Sequence, residues 1–224
     1  MTLLLCFTEV LGLLSFATFP ALLPVFLDEW QISNTQAGWI SAIYYAAYMS
    51  AVPFMVGITD RIDARRVMVV GAIIATVSSV AFAFWAQGFY SALALRFLAG
   101  ISLAGIYMPG VKLVSDHTEG PLQSRYVSYY TASFSIGASL SYLLAGEIAG
   151  ALNWRWAFGL SAMGPAIGIV LIAYFIPKGR FQVWAAGWKI FPDFRPVWRT
   201  PKAMAYILGY AAHMWELFSL RSWV

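Results

Sequence analysis

The chain has 224 residues, of which 61% are hydrophobic and only 11% are charged, and its mean hydropathy is +0.71. Since a soluble domain normally has about a quarter of its residues charged, this composition excludes one and indicates an integral membrane protein. The formal charge of +4 does not indicate nucleic-acid binding, because the bases lie between apolar runs, where anionic lipid headgroups are the expected partner.

Seven apolar runs in the sequence are long enough to cross a hydrocarbon core of about 30 Å. The first run, at about 2–27, contains Glu9 but has no preceding base, which argues against a cleaved signal peptide. The other runs are predicted at about 36–56, 67–85, 90–113, 126–149, 156–176 and 203–224. Because the runs are continuously apolar rather than alternating, the sequence predicts an all-α membrane fold and excludes a β-barrel.

The bases are concentrated on one side of the predicted membrane, which we call the basic face. Eleven of the 14 bases lie there, and Arg155 lies on the opposite face. The eleven are Arg61, Arg65, Arg66, Lys112, Arg125 and six bases within 178–202. By the positive-inside rule the basic face is cytoplasmic, so the sequence predicts a multi-pass protein of the plasma (cell inner) membrane with a cytoplasmic N-terminus.

The chain divides into three predicted parts. Residues 1–177 hold the first six runs, and residues 178–202 form a basic linker with interleaved tryptophans, expected to lie along the cytoplasmic membrane surface. Residues 203–224 form the seventh run, which reaches Val224 without a cap or a polar tail. We therefore expect a truncated chain, with further spans to follow.

The polar loop at 57–66 resembles the Gly-x-Leu-x-Asp-Arg-x-Gly-Arg-Arg motif of the major facilitator superfamily of transporters. Asp60 and Arg61 match that motif, and Arg65 and Arg66 supply its trailing bases. The departures are Gly57, which stands three rather than four residues before the aspartate, Asp63 in place of the second glycine, and Ala64 in place of a base. We expect the Asp60-Arg61 pair to be the most dependable part of the match.

Two further segments are similar to motifs of the same family. Arg96 to Gly100, followed by Gly105, resembles the Arg-x-x-x-Gly motif of helix four, and Asn-Trp-Arg-Trp-Ala-Phe at 153–158 resembles the start of helix six. The resemblance covers essentially the whole chain and implies the N-terminal six-helix half of such a transporter, a 3+3 inverted repeat, followed by the linker and helix seven. The fifth run lacks the Gly-Pro motif of the drug antiporters, and the general character is similar to that of small-anion carriers of the cyanate type.

The resemblance implies a secondary transporter that moves a small solute by alternating access at a site between two six-helix halves. A small anion is a candidate solute and the proton a candidate coupling ion. The chain is expected not to transport unless it associates with the missing C-terminal half. The alternative is an integral membrane enzyme or a non-transporting helical module. With one cysteine, two distant histidines and no phosphate-binding glycine loop, we expect no catalytic site, cofactor or metal.

Ionisable residues inside the spans are the candidate functional residues, because a charge in hydrocarbon costs several kcal/mol unless it faces a partner or a water-filled cavity. Arg96 and Glu147 lie at compatible depths, which predicts an ion pair or a shared site for proton and solute. The alternative is that Glu147 extends to the interface. Glu9 is expected roughly 20 Å from Arg96 along the membrane normal, too far for a pair. His213 and Glu216 share a helix face, which predicts either a protonatable pair or a polar packing contact.

The resemblance also implies a gate formed by the matched loop residues and Asp116. Asp60 is expected to accept hydrogen bonds from Arg65 or from backbone amides at the start of the third helix, with Asp116 within reach of the arginines. Such bonds would hold the inner side closed in an outward-facing state, and the alternative is a solvated turn that only sets topology. Five further side chains have hydroxyls that can line a solute path, although helix packing is the favoured explanation for them. They are Tyr44, Tyr48, Tyr129, Tyr130 and Ser133.

Overall fold

A computed structural model of the chain describes residues 1–177 and 195–223, with side chains described at 1–177 and 197–216. Within these ranges every regular element is an α-helix, as the sequence predicts. Most of the predicted linker, residues 178–194, lies outside the described residues.

The helices follow the predicted runs closely, except that the first and the sixth run are each divided into shorter helices. They are α1 (Thr2–Gly12), α2 (Thr18–Ala21), α3 (Leu23–Glu29), α4 (Asn34–Thr59), α5 (Ala64–Trp85), α6 (Phe89–Asp116), α7 (Pro121–Ala151), α8 (Trp154–Ser161), α9 (Met163–Phe175), α10 (Arg195–Trp198) and α11 (Pro201–Trp223). Among the described residues, α4, α5, α6, α7 and the α8–α9 pair are long and apolar enough to span a membrane. The multi-pass membrane fold is therefore confirmed, while the exact count of seven spans stays a prediction.

The first predicted span is divided into three short helices rather than one. After α1 ends at Gly12 the chain makes turns, and Pro20 and Pro24 then lie within α2 and at the start of α3. A proline has no N–H to donate and its ring clashes with the preceding turn, so two prolines four residues apart favour helix restarts over a continuous rod. The sequence showed both prolines, but the predicted run treated them only as the far end of one helix.

Side-chain caps and glycines define the other helix ends. Ser33 and Gln36 form a reciprocal capping box at the start of α4, and Asn153 accepts hydrogen bonds from two backbone amides at the start of α8. Gly120 precedes α7 with φ at +66°, a left-handed conformation that a side chain would strain. The short connection at 86–88 keeps α5 and α6 antiparallel neighbours, whereas α4 packs mainly on α6 rather than on α5.

Small residues bring the helix backbones close together. A Cβ placed on Gly71 of α5 would lie 2.5 Å from the Gly105 carbonyl carbon of α6, and one on Gly100 of α6 would lie 2.1 Å from the Tyr44 carbonyl oxygen of α4. In a bilayer, where lipid is as apolar as leucine, such close approach is a main source of helix association. The α4–α6 and α5–α6 contacts are accordingly the frame on which α1, α7 and α9 pack.

An aromatic cluster closes the end of the bundle at the opposite face. Trp154 of α8 donates its indole N–H to Glu29 Oε2 at 2.6 Å, and its ring packs edge-on against Phe26. Arg155 donates from Nη1 to the Ala83 carbonyl at 2.9 Å, which caps the last turn of α5. The Trp-Arg segment that resembles a family motif therefore ties α3, α5 and α8 together at this face.

Candidate functional site

The buried guanidinium of Arg96 forms the first of two polar centres inside the bundle. Its side chain is only 3% exposed, and its Cζ atom lies 4.0 Å from the centroid of the Tyr44 ring and 5.6 Å from that of Phe19. A desolvated guanidinium over an aromatic face gains about 2 kcal/mol from the ring quadrupole. Tyr44 thus supports the charge with its ring, a role that differs from the helix packing or hydroxyl lining considered from sequence.

Local sequence explains why Arg96 and Tyr44 meet. Arg96 and Gly100 are one turn apart and share the face of α6 that packs on α4. Because Gly100 has no side chain, the α6 backbone comes close to the Tyr44 carbonyl, and the Tyr44 ring then covers the guanidinium one turn away. The Arg-x-x-x-Gly spacing therefore sets the geometry of this centre.

The part of the chain that the structure describes places no carboxylate within ion-pair distance of Arg96. Glu147 is exposed on α7 and forms no ion pair with it, so the predicted Arg96–Glu147 pair is not formed here. Arg96 Nε is buried without a hydrogen-bond partner. Next to it, Ser15, Ser78 and Ser79 line a cavity of about 10 Å³, near the size that holds one water molecule.

The carboxyl group of Glu9 forms the second polar centre, at the contact between α1 and α7. Glu9 is 1% exposed, and its Oε2 atom accepts a hydrogen bond from Ser133 Oγ. Its other oxygen is buried with no partner, and no base lies within ion-pair distance among the described side chains. The sequence marked Glu9 as a charge in an apolar run, but only the fold shows that it faces α7 rather than lipid.

The face of α7 that contacts Glu9 also contacts the non-helical segment that follows α1. Ser133, Gly137 and Ser141 repeat every four residues, so they lie along one side of α7. Ser141 Oγ accepts a bond from the Ala17 amide at 3.0 Å and donates one to the Leu14 carbonyl at 2.7 Å. These two bonds satisfy backbone groups that the interrupted helix leaves without partners.

His213 and Glu216 lie on α11, where both side chains are exposed. The described part of α11 packs only lightly on the bundle, mainly against α2 and α10. The spacing of the two residues still places them on one helix face. Their predicted function as a protonatable pair stays a prediction.

At the basic face, Asp63 rather than Asp60 holds the start of α5. Asp63 is the N-cap residue, and its Oδ1 atom accepts a bond from the Arg65 amide at 3.0 Å. The Arg65 guanidinium lies 3.9 Å from Asp63 Oδ2 and donates to the Ile176 carbonyl at 3.1 Å, just beyond the end of α9. The departure of residue 63 from the family motif therefore supplies a helix cap.

Asp60 and Asp116 share one lysine instead of the arginines. Lys112 Nζ lies 3.9 Å from Asp60 Oδ1 and 3.4 Å from Asp116 Oδ1. The Asp60 side chain is 62% exposed, so this pair is worth little by itself. Lys112, which the predicted gate left out, is thus the base that links the ends of α4 and α6. Of the remaining members of the predicted gate, Gly57 lies in the last turn of α4, Arg61 in the loop after it and Arg66 in the first turn of α5.

Replacing Arg65 with alanine is expected to lower the free energy of unfolding by about 1 kcal/mol, because the last carbonyls of α9 lose a charged donor. The thermal unfolding midpoint of the purified protein in detergent measures the effect. Arg66→Ala, one residue away on an exposed side chain, is the matched control and should change the midpoint much less. Equal losses in the two variants would contradict the capping role of Arg65.

The bundle of long apolar helices with charged loops defines a multi-pass membrane protein. The family model of the Major Facilitator Superfamily matches residues 5–224. The chain belongs to the Major Facilitator Superfamily, which confirms the resemblance found in its loop and helix motifs.

Two characterised relatives illustrate the breadth of the match. The chain is 23% identical over 176 residues to Protein spinster homolog 3 of Danio rerio, covering 78% of the chain and 35% of that protein. It is 24% identical over 152 residues to Niacin transporter NiaP of Acinetobacter baylyi, covering 68% of the chain and 34% of that protein. The chain therefore spans about a third of the length of these relatives.

Solved transporter structures share the fold. A bacterial homologue of the human lysosomal transporter Spinster, in an inward-facing and occupied conformation, superposes with a TM-score of 0.70 at 15% identity over 80% of this chain and 44% of that one. The human organic anion transporter MFSD10 (TETRAN) gives a TM-score of 0.67 at 21% identity over 79% and 47%. At such identities the comparison supports the fold alone.

Proposed function

We propose that this chain serves in secondary transport of a small organic anion, and that Arg96 binds the anionic group of the solute. The observation that carries the proposal is a buried guanidinium with no acid partner in the described part of the chain. An arginine stays charged in a protein, so burial cannot be relieved by losing its proton. The missing counter-charge is the one an anionic solute brings.

The partners of Arg96 differ from those of a structural arginine. An isolated buried charge costs several kcal/mol, and the Tyr44 ring offsets only about 2 kcal/mol of that. A structural arginine in hydrocarbon normally has a carboxylate or several backbone carbonyls as partners. Arg96 instead has a buried Nε without a hydrogen-bond partner, beside a small cavity that Ser15, Ser78 and Ser79 help to line.

The relatives supply a chemical class that fits this centre. One is a niacin transporter and a fold neighbour is an organic anion transporter, as their names state. Niacin is an aromatic ring with a carboxylate. The carboxylate is complementary to the Arg96 guanidinium, and the ring is complementary to the surrounding tyrosines. One relative is named a probable sphingolipid transporter of Arabidopsis thaliana, so an amphipathic lipid is the second candidate class.

The chain spans about a third of the length of its transporter relatives. We propose that residues 1–177 form one six-helix domain, that the basic face is cytoplasmic in the plasma membrane, and that a second domain completes the path. Glu147 on α7 and His213 with Glu216 on α11 have exposed side chains, which is compatible with their being covered by such a domain. The charged loop at 57–66 and Asp116 would then act as the gate at the basic face.

Nicotinate binding tests the proposal without requiring a complete transport cycle. Equilibrium dialysis of radiolabelled nicotinate against the chain in lipid nanodiscs is expected to show saturable binding. Arg96→Gln is expected to weaken binding at least tenfold, about 1.4 kcal/mol, because the solute loses its charged donor. Arg125→Gln, which removes an exposed guanidinium from α7, is the matched control and should leave the Kd unchanged.

Two results would overturn this proposed function. One is the absence of saturable binding for nicotinate and for a panel of short-chain and aromatic carboxylates. The other is equal binding by the wild type and Arg96→Gln, with both proteins shown to be folded by their circular dichroism and monodisperse in size exclusion.

A further inference from the structure

A small cavity borders Arg96 where α6 meets α5, α8 and the segment after α1. Its volume is about 10 Å³, and apart from Arg96 and three serines its lining residues are hydrophobic. The Tyr44 ring covers the guanidinium from a different helix, α4. The cavity is therefore distinct from the side of Arg96 that the tyrosine covers.

The cavity has a fixed positive charge and no acid. Arg96 is 3% exposed, and its Nε atom is buried without a hydrogen-bond partner. The described side chains place no carboxylate within ion-pair distance of it. A buried charge is strongly unfavourable unless a counter-charge is close. A water molecule would accept a hydrogen bond from Nε but would bring no charge, whereas an anion supplies both the acceptor and the charge.

Two serine hydroxyls add donors to the Arg96 Nε–H group. Ser78 donates its proton to the Ala75 carbonyl at 3.0 Å, so it is already bonded. Within the described part of the chain, the side chains of Ser15 and Ser79 form no such bond. A hydroxyl proton rotates to suit the partner it meets, so both can donate to an anion. The cavity thus offers three donors to one acceptor.

The size of the cavity limits which anion it holds. Its volume is near that of a single water molecule. Carboxylates, phosphate and sulfate have several heavy atoms and exceed that space, so the organic solute is not the ligand of this cavity. A monatomic anion needs only slightly more room than water. Chloride is the common ion of this kind, while fluoride is scarce and loses its hydration shell at a higher cost.

We propose that this cavity is a binding site for a monatomic anion, normally chloride, which neutralises Arg96 while no solute is bound. Chloride accepts hydrogen bonds from Arg96 Nε and from the hydroxyls of Ser15 and Ser79. It exchanges with a single water molecule, so the cavity does not need to enlarge much. The ion supplies the counter-charge that the described protein side chains do not.

Chloride and the solute then depend on the same positive charge. One guanidinium balances one anion, and two anions beside it repel each other strongly where the dielectric constant is low. Binding of either anion therefore weakens binding of the other by the same factor. This competition rests on the proposed function, whereas the chloride site itself does not. The chloride concentration thereby regulates how readily the solute binds.

Thermal unfolding of the purified chain in detergent tests the chloride site. A ligand that binds only the folded protein raises its unfolding midpoint, and we expect a rise of about 3 °C or more for each tenfold increase in chloride above its Kd. The ionic strength is held constant with isethionate, a sulfonate that is too large for the cavity. Bromide should replace chloride in this measurement, whereas sulfate should not.

Substitutions assign the effect to the cavity. Arg96→Gln should abolish the dependence on chloride, and Arg125→Gln, which removes an exposed guanidinium from α7, should retain it. If Arg96→Gln does not fold, the double variant Ser15→Ala/Ser79→Ala keeps the test intact, because it removes two donors and leaves the charge. We expect that variant to bind chloride at least about tenfold more weakly. Its control is Ser139→Ala on the exposed side of α7.

Nicotinate binding in nanodiscs, with chloride exchanged for isethionate at constant ionic strength, tests the competition. The wild-type Kd is expected to be at least about fivefold higher in saturating chloride. The double serine variant should show a much smaller difference at the same chloride concentration. A general effect of salt would instead change the Kd of both proteins equally.

The outcomes separate the two proposals. A midpoint that does not depend on chloride, or that rises equally in the wild type and Arg96→Gln, would overturn the chloride site and mean that the cavity holds water only. A chloride-dependent midpoint in a protein that binds no carboxylate would overturn the proposed solute class and support the chloride site. A nicotinate Kd that is the same in chloride and isethionate, in a protein that chloride stabilises, would overturn the competition alone.

Discussion

Gly100→Ala is expected to lower the free energy of unfolding by about 3 kcal/mol or more, the largest effect of any single methyl group considered in this bundle. The added Cβ would lie 2.1 Å from the Tyr44 carbonyl oxygen and 2.9 Å from the Ala47 Cβ. The first of these atoms belongs to the backbone of α4, so it cannot move aside as a flexible side chain can. The two helices must separate, and the thermal unfolding midpoint in detergent measures the cost.

The same variant is expected to weaken nicotinate binding, because separation of α4 and α6 moves the Tyr44 ring away from the Arg96 guanidinium. Gly146→Ala on α7 is the matched control, since no atom lies within 4 Å of a Cβ at that position. Alanine has the better helix propensity, so the control should be neutral or slightly stabilising. An equally stable Gly100→Ala protein would contradict the close α4–α6 contact.

Ser141→Ala is expected to lower the free energy of unfolding by about 2 kcal/mol. Its hydroxyl accepts from the Ala17 amide and donates to the Leu14 carbonyl, and both groups lie in the interruption between α1 and α2. Alanine would leave two buried backbone groups without partners, each costing about 1–3 kcal/mol, though interhelical bonds in membranes are often at the low end.

Hydrogen–deuterium exchange measures the destabilisation caused by Ser141→Ala and shows where in the chain it occurs. The Ala17 amide should exchange faster in Ser141→Ala, while amides in the middle of α5 should not change. Ser139→Ala, the same substitution two residues away on an exposed side of α7, is the control for both exchange and unfolding. Unaltered protection of Ala17 would mean that Ser141 does not hold the interrupted segment.

The family and the membrane class were predictable from sequence because they depend on patterns repeated along the chain. Continuous apolar runs, the charge asymmetry between loops and the Asp60-Arg61 motif each indicate the same answer, and the structure and the family match confirm it. The division of the first span was harder to foresee. Pro20 and Pro24 signal it locally, but the turns that begin after Gly12 depend on Ser141, more than a hundred residues later.

The two polar centres depend on which side of each helix faces inward. Depth along the membrane normal placed Arg96 and Glu147 at compatible levels, yet Glu147 is exposed and Arg96 is buried against α4, because depth does not specify which side of a helix faces inward. The expectation that Asp60 accepts hydrogen bonds from the start of the third predicted helix likewise came from its position in the motif. In the structure Asp63 caps α5, since the residue directly before a helix can accept a hydrogen bond from the amide two residues later, here that of Arg65.

The sequence by itself determined that this is a helical membrane protein and which family it belongs to. Hydrophobicity, loop charge and short motifs are properties of consecutive residues, so they can be read without the fold. Only the tertiary structure decided that Glu9 meets Ser133 and that Arg96 meets Tyr44 without an acid partner in the described chain. Those contacts join residues more than fifty positions apart, and they are fixed by how closely glycines let the helices approach. The chemistry proposed here therefore follows from helix packing more than from the identity of any one residue.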